Sequence, residues 1–351
     1  PNSASQSDDH FNTVVYSGES VDGSTKAVTV GFKPDFIWGK TRNRTQDHLL
    51  ANSTVGFDVY LRTNGTAAEA LLDSLVDDDV TDTGFLFDDD EDGYFNFAPD
   101  VGDPNQMVVW NWKANGGTTV TNEDGSIDST VQANTTSGFS IVTFEGNKTK
   151  GATIGHGLGV KPDMIIMKNR DFAVSWVVWF PNLQANNQLL ELNSTGAVLT
   201  NTDDVNAWWN NTAPTSSLIT LGDYDGINDD LSMLAYCFHS VEGYSKFGTY
   251  EGTDSAPPNG AFVYLGFRPK FILFKNADHA FEWLIFDTTR SPINGSSDWL
   301  RPNTDEVEFD GLFVDALSNG FKIRSDWTRI NYETIIYMAF AEQPFKYANA
   351  R

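Results

Sequence analysis

One cysteine in 351 residues, Cys237, excludes an intrachain disulfide. It stands in the apolar run Met233 to Phe238 with no basic neighbour in sequence to lower its pKa, so it reads as a small core residue and not as a nucleophile. Paired cysteines for a metal site are missing for the same reason. Basic residues are scarce: 23 Lys and Arg stand against 48 Asp and Glu, a formal net charge of -25. Such a surface repels phosphate backbones and anionic lipid, which argues against nucleic-acid and membrane-surface binding. No apolar run approaches the roughly 20 residues that a membrane-spanning helix needs, so membrane insertion is not expected. A Gly-x-Ser-x-Gly elbow, a His-Glu-x-x-His pair and a glycine-rich loop ahead of a helix are all missing. Only five histidines occur, at 10, 48, 156, 239 and 279, in no recurrent pattern. No catalytic residue is assigned, and the reading is of a protein that is not an enzyme.

What the chain has is aromatic bulk, 25 Phe, 11 Tyr and 10 Trp, and a sentence written three times. Gly31-Phe32-Lys33-Pro34-Asp35-Phe36-Ile37-Trp38-Gly39-Lys40 returns as Gly159-Val160-Lys161-Pro162-Asp163-Met164-Ile165-Ile166-Met167-Lys168, and again as Gly266-Phe267-Arg268-Pro269-Lys270-Phe271-Ile272-Leu273-Phe274-Lys275. Proline suits the first residue of a strand, and the apolar run behind it is too short for a helix. It reads as a strand buried on both faces.

Other landmarks keep this register. An aromatic-x-Gly step (Tyr16, Phe144, Tyr250) opens each unit, and His48, Trp176 and Trp283 follow the prolines by 14 residues at the head of a second strand. A closing strand contains Trp110, Tyr236 and Phe340 in turn. The fold class that follows is all-β: three tandem antiparallel β-sandwich, jelly-roll-like domains from an internal repeat. Units of about 100 residues can each bury a core, which separates them from solenoid repeats.

The expected organisation is an N-terminal arm at 1–13, a first unit at 14–116, a Gly/Ser/Thr/Asn-rich linker at 117–138, a second unit at 139–247 and a third at 248–351. The tight run Ser245 to Tyr250 predicts a stiff pair of later units and a looser first one. One short helix is predicted in the first unit, Ala67 to Leu75, with Thr66 and Glu69 as a capping box.

Three groups are candidates for function. Asp88, Asp90 and Asp92 with Gly93 open like a calcium loop, although the twelfth position is Pro99 in place of a bidentate Glu, so an acidic hairpin turn is the competing reading. Trp208, Trp209, Trp299 and Trp327 are candidate exposed contacts, since Trp dominates binding hot spots. Lys40, Lys168 and Lys275 form the most regular charged position and are expected to sit at the rim of each unit.

Phe11 to Gly18, Ala133 to Gly146, Thr153 to Arg170, Ala235 to Tyr250 and the terminal Pro344 to Arg351 resemble strings in a family of virion proteins from tailed, mostly marine, bacteriophages. The resemblance covers nearly the whole chain and implies a β-rich virion component; it brings no catalytic residues. With the repeat, it leads to the expectation of a homo-oligomeric tail fibre or appendage on the particle surface, touching other virion proteins and a host-surface glycan or receptor. Capsid decoration is the alternative, and a glycan depolymerase or a free lectin-like module are further readings. Calcium is the one cofactor under consideration.

Overall fold

The structure is a computed structural model of the chain, and it describes residues 7–18, 25–72, 74, 75, 77–87, 104–180, 185–255, 260–294 and 297–342. Its regular secondary structure is almost entirely antiparallel strand. The three units share one main-sheet order. In the first, the opening strand Phe11–Ser17 pairs with the closing strand Gln106–Trp112, which pairs with the proline strand Phe36–Thr41, then Leu49–Asn52 and Gly56–Arg62. The second repeats this with Phe139–Glu145, Ser232–Phe238, Met164–Asn169, Val177–Trp179 and Gln188–Glu191. The third does so with Ser245–Glu251, Thr334–Ala341, Pro269–Asn276, Leu284–Asp287 and Trp299–Leu300.

Ladder register shows the repeats to be equivalent residue by residue. Phe36 lies opposite Trp112, Met164 opposite Phe238 and Phe271 opposite Phe340, each two residues beyond its proline. This corrects one landmark: the counterpart of Trp110 and Tyr236 is Met338, and Phe340 matches Trp112 and Phe238. A count of residues from the proline slipped by two because the loops between the strands differ in length, whereas pairing ignores loop length.

Alternation along these strands sends side chains to two different cores. Phe36, Trp38, Val108 and Trp110 face a central cluster; Ile37, Leu49, Met107 and Val109 face the other way, onto a small outer sheet of Lys26–Thr29, Gly84–Phe87 and Val80–Thr81. Unit two covers its outer face with Thr153–Gly155 and Leu218–Thr220, and unit three with Phe262–Tyr264, Gly320–Ile323 and Val314–Leu317. Each unit is therefore a sandwich.

The central cluster is common to all three units. Phe36 stacks on Tyr236 of unit two at 4.3 Å between ring centroids, Phe11 on Phe340 of unit three at 4.8 Å, and Phe238 meets Phe340 edge-on at 6.3 Å. Every pair of units thus shares aromatic contact, each buried ring contributing about 2–3 kcal/mol by area. The opening strand of the first unit puts Phe11, fully buried, into this shared core, so this unit packs against the other two.

Stretch 117–138 carries Val120–Asn122 and Ser129–Asn134, two strands that extend the main sheet of unit two. Gln132 bonds from there to Ser53 and Thr54 of unit one, at 2.9 Å each. The predicted helix at Ala67 to Leu75 does not form: Ala70–Leu71 is a strand paired with Val59 and Tyr60. Ladder bonds and burial of Leu72 and Leu75 outweigh the modest helix propensity of the run. Short helices occur instead at Asp225–Asn228 and Thr328–Asn331, in the second and third units.

Candidate functional site

The repeated polar letters converge on the seams between units. After each proline strand the chain turns outward and lies against a neighbouring unit, in a cyclic order: one on three, three on two, two on one. At these seams the main-chain N–H of Glu308, Val198 and Glu69 donates to the carbonyl of Arg42, Ala277 and Arg170, respectively. Trp283 Nε1–H donates to Glu191 O at 2.9 Å and Trp176 Nε1–H to Arg62 O at 2.7 Å. The accepting residues hold one position of the repeat, since Leu49 lies opposite Arg62 and Val177 opposite Glu191.

His48 fills the tryptophan position in unit one. It accepts from Trp38 Nε1–H through Nδ1 at 3.1 Å, which leaves the proton on Nε2, facing the Arg301 main chain without a complete hydrogen bond. Burial, then the charge on Lys40, holds its pKa well below the ordinary histidine value. A third repeated residue escaped the reading of the sequence. Asn64, Asn193 and Asn303 accept through Oδ1 from the main-chain N–H of His48, Trp176 and Trp283, at 2.9, 2.8 and 3.0 Å. Their distance from the proline drifts, but each lies just past the end of the paired strand, and that recurrence was the available signal.

The lysines are not at a rim. Lys40, Lys168 and Lys275 are buried, at 1%, 0% and 0% exposure, because the seams close over them. Lys40 Nζ donates to Thr41 O at 2.6 Å and Arg44 O at 3.2 Å; Lys168 Nζ to Asn169 O at 2.7 Å and Phe172 O at 3.1 Å. Lys275 Nζ reaches Phe281 O at 2.6 Å and, across the seam, Thr195 O at 3.0 Å. Each ammonium folds the loop that carries it around its three protons. Burial pushes all three pKa values down to about 8. Carbonyl oxygens surround these amines, an arrangement suited to holding a loop rather than attacking a substrate.

The seam between units one and three is the most polar. Arg290 is fully buried and donates to Asp287 Oδ2 at 2.5 Å and to Glu308 Oε2 at 2.7 Å, while Glu308 also takes Arg42 at 2.6 Å and Trp110 Nε1–H donates to Asp287 at 3.1 Å. Burial alone would favour a neutral Arg290, but Asp287 and Glu308 outweigh it and hold its pKa up. An open groove of about 340 Å³ runs beside this network, lined by Arg42, Asn43, Gln106, Val307 and Glu308.

Of the four tryptophans, the structure brings two together. Trp299 and Trp327 pack with ring centroids 5.0 Å apart; Phe309 stacks on Trp299 at 4.4 Å and Phe313 on Trp327 at 4.7 Å. Arg301 lies 4.9 Å over Trp299 and Arg329 lies 4.6 Å over Trp327, so guanidinium groups take the outer ring faces. Trp209 is 1% exposed, with its N–H on Gln188 O at 3.2 Å, and Trp208 is half-buried against the same core. Trp209 and Trp299 are thus buried, and Trp208 and Trp327 are half-buried. All four pack on the outer cores of units two and three, where large aromatic surface is withdrawn from water. Asp88, Asp90 and Asp92 lie outside the described residues. Among the described residues no group of three or more His, Cys, Asp or Glu could hold a metal ion. Cys237 is buried, and burial pushes its thiol up to about 12.

The chain matches none of the curated proteins compared with it. A family model described as a domain of unknown function (DUF7483) matches residues 6–344 in one span that takes in all three units and the seams between them, and the chain belongs to that family.

Proposed function

We propose that the protein is a non-enzymatic structural component of a tailed-phage virion, displayed on the particle surface as a tail fibre or appendage in assembly and host-surface attachment. The observation that carries this reading is the use to which the repeated residues are put. Lys40, Lys168 and Lys275, the Trp176 and Trp283 position and the Asn193 position all join units to one another or pin the loops that do so. A body whose shared letters serve rigidity suits a mechanical role, and its resemblance to virion proteins supplies the setting.

Capsid decoration is the second reading, favoured by the cyclic closure of three similar units, a shape suited to a threefold point of a shell. Particle mapping separates the two. Hundreds of copies per virion indicate decoration and a few tens or fewer an appendage; absence of the chain from purified virions overturns both.

A further inference from the structure

The units differ where nothing in the repeat requires it. The residues that flank the middle of the first strand of each outer sheet are the exposed Ala27 and Thr29 in unit one and the half-buried Thr153 and buried Gly155 in unit two, but the exposed Phe262 and Tyr264 in unit three. The residue between them is buried in all three: Val28, Ile154 and Val263. Phe262 is 49% exposed and Tyr264 61%. They lie on one face of an edge strand, about 7 Å apart at two residues' rise. Their solvation costs apolar exposure with no gain to the fold.

In unit two the corresponding edge is occupied: Ile127 makes a parallel bridge to Ile154, with its N–H on Thr153 O at 3.0 Å. In unit three the edge is closed to an added strand by a side chain, since Lys246 Nζ donates to Tyr264 O at 2.8 Å. Lysine on an edge strand opposes strand addition. Two rings, roughly 150–250 Å² each, also fall short of the roughly 1,200 Å² that a stable protein interface buries. What remains open is the ring faces. Beside them stand two ammonium groups, Lys322 directly across the ladder from Phe262 and Lys246 against Tyr264, on a chain that is otherwise strongly acidic.

From this geometry we infer that Phe262, Tyr264, Lys246 and Lys322 form a saccharide-binding platform, the rings taking the apolar C–H faces of successive sugars and the lysines their hydroxyl or carboxylate oxygens. The inference deepens the proposed attachment role by naming the ligand class, and its site is distinct from the Trp299 and Trp327 cluster.

Calorimetric titration of the intact protein with purified bacterial surface polysaccharides and their oligosaccharide fragments tests it. Wild type binds at least one of them. The double variant Phe262→Ala with Tyr264→Ala loses at least tenfold in affinity with an unchanged thermal midpoint, and Lys322→Met loses a few-fold. Phe172→Ala, an exposed ring on a different loop, binds as wild type. The inference is overturned if no saccharide binds, if the double variant binds like wild type, or if sedimentation finds a wild-type dimer that the double variant loses, which would assign the face to a second copy. Saccharide binding by a chain absent from virions would sink the virion reading and leave this one standing.

Discussion

Trp176 of the second unit donates its indole N–H to the carbonyl of Arg62 in the first, and Trp283 of the third does the same to Glu191 of the second. Two equivalent side chains therefore bind units together through main-chain atoms that no residue letter announces. The consequence is cooperativity: a unit expressed alone would expose its share of the central aromatic cluster. Equilibrium unfolding in urea should show one transition, coincident by fluorescence and far-ultraviolet circular dichroism. Trp176→Ala should cost about 3–5 kcal/mol and shift that single transition. Two resolved transitions would contradict the shared core.

The buried lysines predict an unusual alkaline profile. With pKa values near 8 in the folded protein and about 10.4 when solvated, Lys40, Lys168 and Lys275 hold fewer protons folded than unfolded between those limits. Stability therefore rises with pH from about 8 towards 10, by up to about 1.4 kcal/mol per lysine per pH unit. Above about pH 10 the trend reverses. Burial raises the pKa values of Tyr236, Tyr244, Tyr250 and Tyr337, so ionisation then favours the unfolded chain. Urea midpoints at pH 7.5, 8.5 and 9.5 should climb, and Lys168→Met should remove about a third of the climb. A flat series would show that the ammonium groups are not disfavoured by burial.

His48 sets the acid side. Its folded pKa lies below the unfolded value near 6.5, and burial lowers His10 and His156 in the same direction. The unfolded chain binds these protons first, so stability falls as pH drops below about 6.5. His48→Gln should flatten the fall between pH 6.5 and 5 by about 1 kcal/mol or more. An unchanged slope would place the acid sensitivity in other groups.

Glu308 and Glu69 occupy matching seams but carry different loads. Glu69 faces Arg170 in a partly solvated pair, whereas Glu308 also compensates the fully buried Arg290. Glu69→Gln should cost about 1 kcal/mol or less and Glu308→Gln about 3 kcal/mol, read from urea unfolding at pH 7. Equal costs would mean that Arg290 is satisfied by Asp287 alone.

Legibility followed the range over which each signal acts. The proline strands were readable because proline, a short two-faced apolar run and a lysine are local features, and all three strands lie where the pattern put them. Lys40 was misplaced for the opposite reason. A lysine ending a strand looks like a rim residue until another unit's chain closes over it, and Asp305 and Glu308, which face it, are more than 260 residues away. Trp299 and Trp327 were legible as aromatics, and the arginines that cover them, Arg301 and Arg329, are two residues on in each case, but the meeting of the two tryptophans, 28 residues apart in sequence, was not legible.

By itself the sequence determined that this protein is built of strands, that it contains one module three times, and that the key strands are covered on both faces, since period-two burial and proline placement depend only on neighbouring residues. Which cover each face receives was decided by tertiary structure. One face meets the unit's own outer sheet and the other meets the sister units. Apolar side chains carry no partner's address: burial rewards any cover, and the seam hydrogen bonds that select the actual one run largely to main-chain carbonyls.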